Sequence, residues 1–158
     1  YFYREGCYGF LDEAERFAGA ARYTTNVKLP ATKADRWFLE LGDVRESARV
    51  WVNGQPAGVL VAHPFRLDVT DYVQAGENKL VIEVTNLSAN RIRDLDRREV
   101  DWKHFYDINL VNHKYKPFDA SNWELKPSGL LGPVTLIKAS KTANKTALDA
   151  EGNLDVEF

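Results

Sequence analysis

The sequence has 158 residues, of which 44% are hydrophobic and 28% charged, the proportions of one globular domain with a core of its own. Its 21 Lys and Arg residues nearly balance 23 Asp and Glu residues, which argues against a general nucleic-acid or membrane-surface binder because both need a basic excess. The single cysteine, Cys7, excludes an internal disulfide and a thiolate metal cluster, and the absence of Met predicts a fragment of a longer polypeptide.

Short segments of alternating polar and apolar residues, separated by turns, make up most of the chain. The alternation predicts strands over 23–29, 37–41, 48–52, 57–62, 65–69, 80–84 and 134–137. Asn53-Gly54 directly follows the third of these and predicts a two-residue hairpin, because both central positions of a type I′ turn need positive φ. The helical signal is weak, and the segment 11–21 is the one place where it predicts a short helix. Seven short strands with frequent turns predict an all-β, antiparallel β-sandwich.

The segment 86–128 interrupts this pattern for 43 residues. Loops of such length in compact domains are usually functional or internally structured, so we expect its own aromatic residues or a neighbouring domain to order it. The predicted organisation is a module over residues 1–140 that carries this long loop, followed by a polar tail or linker over 141–158. A loosely docked strand is the alternative for that tail.

A run of motifs in fixed order occupies most of the module. It comprises Ala48-Arg49-Val50-Trp51-Val52-Asn53-Gly54, Phe65 to Thr70, Gly76-Glu77-Asn78, Leu80 to Asn86, and Ser128 to Leu136. This run resembles the sugar-binding jelly-roll domain of family-2-type glycoside hydrolases, which has the galactose-binding-like fold. Within the long loop, the stretch 90–96 resembles the jelly roll attached to bacterial α-L-rhamnosidase-like enzymes.

The resemblance implies a galactose-binding-domain-like jelly roll that serves as a non-catalytic carbohydrate-binding or accessory module of a larger glycoside hydrolase. Its expected partners are carbohydrate and the catalytic barrel of the same parent chain, with no nucleic acid and no membrane. A periplasmic or extracellular location follows from the same resemblance. The alternative is a purely structural domain that packs against the barrel and binds no sugar.

Catalytic and metal-binding residues are not expected in this chain. A glycosidase needs two carboxylates across the scissile bond, and the loop offers Glu99, Asp101 and Asp107 by residue type. Most acids of the loop lie near Lys or Arg, which favours ion pairs over catalysis. No cofactor is predicted. A structural calcium ion is the one possibility left open by the resemblance, although no dense acidic loop is present.

Sugar binding needs an aromatic platform together with planar polar groups. The long loop supplies both, and the candidate carbohydrate-binding residues are Arg91, Arg93, Asp94, Trp102, His104, Tyr106, Asn109 and Trp123. In the alternatives, the aromatic residues form a satellite core, the charged ones hold the loop to the sandwich, or the loop packs on the catalytic domain and shapes its pocket. Outside the loop, Trp51 alternates opposite to Val50 and Val52, and we expect it in a covered layer of the core rather than on an exposed platform.

Overall fold

The computed structural model describes residues 15–31, 36–104, 116–139 and 153–155, and these ranges contain ten bounded strands and one bounded helix. In chain order the elements are β1 (Ala20–Leu29), β2 (Arg36–Glu40), β3 (Asp43–Arg45), β4 (Ser47–Val52), β5 (Gln55–Leu60), β6 (Arg66–Asp68), β7 (Gly76–Thr85), α1 (Ala89–Arg97), β8 (Gly129–Gly132), β9 (Thr135–Ala139) and β10 (Asn153–Asp155).

The strands form an antiparallel β-sandwich, which confirms the predicted fold class. Sheet A has the order β1-β7-β4-β5, sheet B has the order β10-β9-β2-β6, and β3 pairs with β8 in a two-stranded ribbon. Every named strand pair is antiparallel. Each of the seven predicted strands corresponds to an observed one, with bounds that differ by a few residues.

The core lies between sheets A and B and consists of the alternate residues of their strands. On β7, Leu80, Ile82 and Val84 are buried while the residues between them are half-buried or exposed. They pack with Val50 of β4 and Leu39 of β2 in one continuous cluster of buried apolar side chains. Period-two alternation therefore places one face of each sheet in the core and leaves the other face accessible.

Glycine occupies two positions where the backbone geometry disfavours a larger residue, Gly54 and Gly42. Asn53 and Gly54 have φ values of 53° and 81° and connect β4 to β5, so the predicted type I′ hairpin is confirmed. Gly42 has a φ of 62°, and a Cβ there would lie 2.5 Å from the carbonyl carbon of Gly132. The ribbon of β3 and β8 thus begins where two backbones meet too closely for any side chain.

Asn78, at the start of the buried face of β7, organises the turn that precedes this strand. Its side-chain oxygen accepts hydrogen bonds from the Gln74 amide at 2.8 Å and from Asn53 Nδ2 at 2.9 Å. Its amide nitrogen donates to the carbonyl oxygens of Gln74 at 2.7 Å and Gly76 at 3.0 Å. A side chain that is only 1% exposed therefore has all its hydrogen-bonding capacity satisfied, as burial requires.

Three features differ from the sequence expectations or extend them. The predicted helix over 11–21 is wrong at its end, because β1 begins at Ala20, and residues 11–14 lie outside the described ranges. The placement of Trp51 in the core is also wrong, since its side chain is half-buried on the outer face of sheet A. Within the predicted tail, Asn153–Asp155 forms β10 and pairs with β9.

The chain divides into two compact units. The first, the sandwich unit, contains all ten strands, over residues 20–86 and from 128 onward. The second, which we call the α1 unit, comprises residues 2–19 and 87–127, and its described part includes α1. Across the described ranges, no helix has the length and apolar character needed to cross a lipid bilayer.

Candidate functional site

Helix α1 is the first element of the α1 unit after residue 86, and most of the predicted site residues lie in it or after it in the sequence. It begins after Ser88 and ends at Arg97, and five of its nine residues carry charge. Asp94 accepts a hydrogen bond from Arg98 at 2.6 Å, one turn further on, and lies 3.9 Å from Arg91. These i,i+4 and i,i+3 ion pairs lie along the accessible side of the helix and stabilise it modestly.

Asp96, in the last turn of α1, is well buried, with 5% of its side chain exposed. Its Oδ1 accepts a hydrogen bond from Trp102 Nε1 at 2.6 Å and lies 2.9 Å from Lys103 Nζ. Its Oδ2 accepts the backbone N–H of Ala120 at 2.7 Å. Burial raises the pKa of Asp96, but these hydrogen bonds outweigh burial and bring that pKa below its ordinary value.

Two further side chains of α1 hold the backbone of the segment 118–126. Asn90, 5% exposed, donates to the carbonyl oxygen of Lys126 and accepts the N–H of the same residue, both at 2.8 Å. Arg93 Nε donates to the carbonyl oxygen of Trp123 at 2.7 Å. Together with the contact between Asp96 and Ala120, these bonds fix three points of a segment that has no regular secondary structure of its own.

Aromatic rings of the same unit pack edge to face in a row. The Phe118 ring lies between Trp102, with centroids 6.1 Å apart, and Trp123, with centroids 5.5 Å apart. Lys103 Nζ lies 5.4 Å from the centroid of the Trp102 ring and donates a hydrogen bond to the Phe118 carbonyl oxygen at 2.9 Å. Trp102 is half-buried, whereas Trp123, at the end of the row, is 41% exposed.

The structure therefore gives most of the described candidate residues an internal role. Arg91 and Asp94 take part in ion pairs along α1, Arg93 binds a backbone carbonyl, and Trp102 donates its indole N–H to Asp96. Trp123 and His104 keep accessible side chains. The remaining two candidates, Tyr106 and Asn109, lie outside the described residues. Carbohydrate binding by this set stays a prediction.

Asp96 and Asn90 are the two organising residues that sequence reasoning did not select. The sequence carried one weak signal, since both are polar residues on a short helix that has only three apolar residues, Ala89, Ile92 and Leu95. A helix with so few apolar residues makes part of its packing contacts through hydrogen bonds. Their backbone partners, Ala120 and Lys126, lie 24 and 36 residues away, so no local pattern identifies these two contacts.

The described part of the chain offers little that resembles a catalytic or metal centre. No group of three or more His, Cys, Asp or Glu side chains within it is arranged to hold a metal ion. Hydrogen bonds from Thr70 lower the pKa of Asp68, and hydrogen bonds from Ser121 lower the pKa of Asp119. A cavity inside the sandwich core measures about 10 Å³, room for no more than one water molecule.

Comparison with known proteins identifies relatives of this chain. Residues 7–124 match the family described as glycosyl hydrolase 2 galactose-binding domain-like. A protein of Formosa agariphila named for β-glucuronidase activity is 39% identical over 140 residues, which cover 76% of this chain and 12% of the relative. A β-galactosidase of Clostridium acetobutylicum is 30% identical over 137 residues, which cover 77% of this chain and 14% of that enzyme.

A solved rhamnosidase structure is similar to this chain in both sequence and fold. The rhamnosidase from Novosphingobium sp. PP1Y superposes with a TM-score of 0.61 at 33% sequence identity, over 77% of this chain and 11% of the enzyme. The chain thus spans between about a tenth and a seventh of the length of these proteins. With the match over 7–124 and the antiparallel sandwich described above, the chain belongs to the galactose-binding domain-like family of glycosyl hydrolase 2-type enzymes.

Proposed function

We propose that this chain is a non-catalytic accessory module of a larger glycoside hydrolase, whose catalytic barrel and glycan substrate are its natural partners. The proposal is supported by family membership and by relatives that are glycosidases at least about six times as long. The similarity to a rhamnosidase structure supports a rhamnosidase-like parent enzyme. Since polymeric glycans lie outside the cell, we also propose a periplasmic or extracellular location.

The chemistry of the described carboxyl groups supports the absence of catalysis. Glycoside hydrolysis needs a carboxylic acid that keeps its proton near neutral pH, which means a raised pKa. Where the structure shifts the pKa of a described carboxyl group, as in Asp68, Asp96 and Asp119, the shift is downward because of hydrogen bonds that favour the charged form. Such groups are poor proton donors.

For the α1 unit we propose a structural role, in which it offers a preformed surface to the catalytic barrel. The observation that carries this proposal is the internal use of its polar groups. The hydrogen bonds made by Asn90, Arg93 and Asp96 go to groups of the same unit. Asn90 and Arg93 bind backbone carbonyl oxygens, and Asp96 accepts an indole N–H. A sugar site needs such groups free to bind hydroxyls, whereas a rigid packing surface needs them bound.

The test of the non-catalytic role is an assay of the chain on a panel of aryl-glycosides that includes aryl α-L-rhamnoside and aryl β-glucuronide. We expect no turnover above the buffer rate, while a complete rhamnosidase assayed in parallel releases the aryl group. Turnover that a single Asp or Glu substitution abolishes would show that the chain carries its own catalytic acids.

Weak sugar binding by the α1 unit is the second candidate, because Trp123 remains 41% exposed at the end of the aromatic row. An exposed indole can stack on the apolar face of a pyranose ring. Titration with a panel of neutral monosaccharides, followed by the indole N–H resonances, separates the two roles. A structural role predicts no change in the Trp123 resonance, and a saturable shift of that resonance favours sugar binding.

A further inference from the structure

The outer face of sheet A carries a half-buried tryptophan among basic side chains. Trp51 lies on β4 between Val50 and Val52, whose side chains are 1% and 2% exposed in the core, so Trp51 faces the other side. In the register of the sheet, its neighbours are Val81 of β7 on one side and Pro56 of β5 on the other. These three residues form an apolar strip across the sheet.

An ion pair holds one side of this strip. Arg22 on β1 donates to Glu83 Oε2 on β7 through Nε at 3.2 Å and through its terminal nitrogen at 2.7 Å. The same guanidinium carbon lies 5.7 Å from the centroid of the Trp51 ring, within the range of a cation–π contact. Glu83 is 18% exposed and Arg22 is 63% exposed, so the carboxylate of this pair is partly shielded from water while the guanidinium stays accessible.

Three of the four charges that flank Trp51 are positive, and two of these cations, Arg49 and Lys79, form no ion pair among the described residues, although Arg49 lies opposite Glu83 in the register. Arg49 lies two residues before Trp51 on the same face of β4, and Lys79 lies two residues before Val81 on the same face of β7. Within the part of the chain described here, no carboxylate lies within 4.0 Å of the charged group of either residue. The outward residues of sheet A comprise four basic ones (Arg22, Lys28, Arg49, Lys79) and two acidic ones (Glu77, Glu83), although the whole chain carries a net charge of −2.

We propose that this outer face of sheet A binds an acidic saccharide, a glycan that contains uronic acid, with Trp51 at its centre. The apolar C–H face of a pyranose ring stacks on the exposed part of the indole. The carboxylate of the sugar then meets Arg49, whose planar guanidinium matches it in geometry and charge, and Lys79 adds a second cation on the opposite side of the strip. This site lies in the sandwich unit and is independent of the accessory role proposed above for the α1 unit.

Charge and composition favour a glycan over a nucleic acid as the occupant. A nucleic acid carries one phosphate per nucleotide and needs a continuous basic track. On this face Glu83 stands between Arg22 and Arg49 in the register, and Glu77 lies opposite Lys28, so the basic track is interrupted. A glycan with spaced carboxylates and neutral hydroxyls suits such a mixed surface better.

The test is a titration of the isotope-labelled chain, followed by NMR of its four indole N–H groups and of its backbone amides. The probes are a trisaccharide of galacturonic acid, a neutral trisaccharide of galactose, and an oligo-thymidylate of equal charge. Trp51→Phe identifies the Trp51 indole signal. We expect the galacturonate trimer to shift that signal saturably, with little change from the other two probes.

Three variants locate the site. We expect Trp51→Ala and Arg49→Gln each to raise the dissociation constant for the galacturonate trimer by about tenfold, because they remove the stacking ring and the charge-assisted hydrogen bonds. Lys28→Gln is the matched control, because it removes the same charge from the same face far from Trp51, and we expect a change within about twofold. Arg49 is exposed, so we expect Arg49→Gln to fold normally. If Trp51→Ala does not fold, the binding measured with Arg49→Gln tests the proposed site.

Several results would overturn the proposal. No shift of the Trp51 signal at about 10 mM trimer would exclude a useful site. Equal binding of oligo-thymidylate, or equal loss of binding in Lys28→Gln, would indicate nonspecific attraction of polyanions. Shifts confined to the other three indoles would place the saccharide elsewhere on the chain.

Discussion

Replacing Asn78 by alanine is expected to lower the free energy of unfolding of the sandwich by about 3 kcal/mol. The side chain is 1% exposed and makes four hydrogen bonds, two as acceptor and two as donor. In the alanine variant, the backbone N–H of Gln74 loses its acceptor, and the carbonyl oxygens of Gln74 and Gly76 lose their donor. Water does not reach this site freely, so these groups are left unsatisfied. It also leaves a small void at the start of β7.

Urea unfolding followed by far-ultraviolet circular dichroism measures this loss. Asn26→Ala is the matched control, because Asn26 is an exposed residue on the outer face of β1, and we expect a change within about 0.5 kcal/mol. Asn78→Asp keeps the shape of the side chain but sets a second acceptor oxygen against two carbonyl oxygens, so we expect it to destabilise at least as much as alanine. A loss below about 1 kcal/mol for Asn78→Ala would show that the turn does not depend on this network.

The same network shows how far the sequence could predict this fold. Asn53-Gly54 predicted a tight turn, which is observed, and the Gly76-Glu77-Asn78 motif lies where β7 begins, with Asn78 holding the turn that precedes this strand. The sequence did not indicate that the two turns are joined, because Asn53 Nδ2 reaches Asn78 across 25 residues. Asn53 also exchanges two hydrogen bonds with the backbone of Lys79, which fixes the register of β4 against β7. Turn chemistry is local and therefore predictable, whereas its coupling depends on the tertiary fold.

The elements that the sequence missed lack the periodicity on which prediction depends. The strand β3 has three residues, too few to show alternation, and β8 is a Gly-Leu-Leu-Gly segment. Helix α1 has only three apolar residues, Ala89, Ile92 and Leu95, which is a short pattern, and its one buried residue is the polar Asn90. Two of its hydrogen-bonding partners, Ala120 and Lys126, lie more than 20 positions away, and a search for apolar periodicity does not reveal such contacts.

The predicted sugar site illustrates the same limit in terms of chemistry. The residue types that bind a sugar, which are aromatic rings, guanidinium groups and carboxylates, are also those that can order a loop. The sequence showed that Arg93, Asp94 and Trp102 could do either. Only the structure shows that Arg93 reaches the Trp123 carbonyl oxygen, 30 residues away, and that the Trp102 indole reaches Asp96.

Replacing Asp96 by alanine is expected to destabilise the α1 unit by about 3 kcal/mol, because it leaves the Trp102 indole N–H, the Ala120 amide and Lys103 without their shared acceptor. Hydrogen exchange of peptides from 116–127 measures the effect, and we expect protection there to fall while peptides from β7 keep theirs. Asp94→Ala is the matched control on the same helix. Its ion pairs lie at the surface, so we expect a loss within about 0.5 kcal/mol.

The pH dependence of this local stability follows from the lowered pKa of Asp96. The folded pKa lies below the ordinary value of 3.8, so the unfolded form takes up a proton first as the pH falls. The contribution of Asp96 is therefore fully present above the unfolded pKa and is lost as the pH falls through the folded pKa. In Asp96→Asn this part of the pH dependence should disappear, because no charge remains to titrate. If the hydrogen exchange of peptides from 116–127 changes with falling pH equally in Asp96→Asn and in the unaltered chain, another carboxyl group controls the pH dependence of this unit. The role proposed for Asp96 would then be wrong.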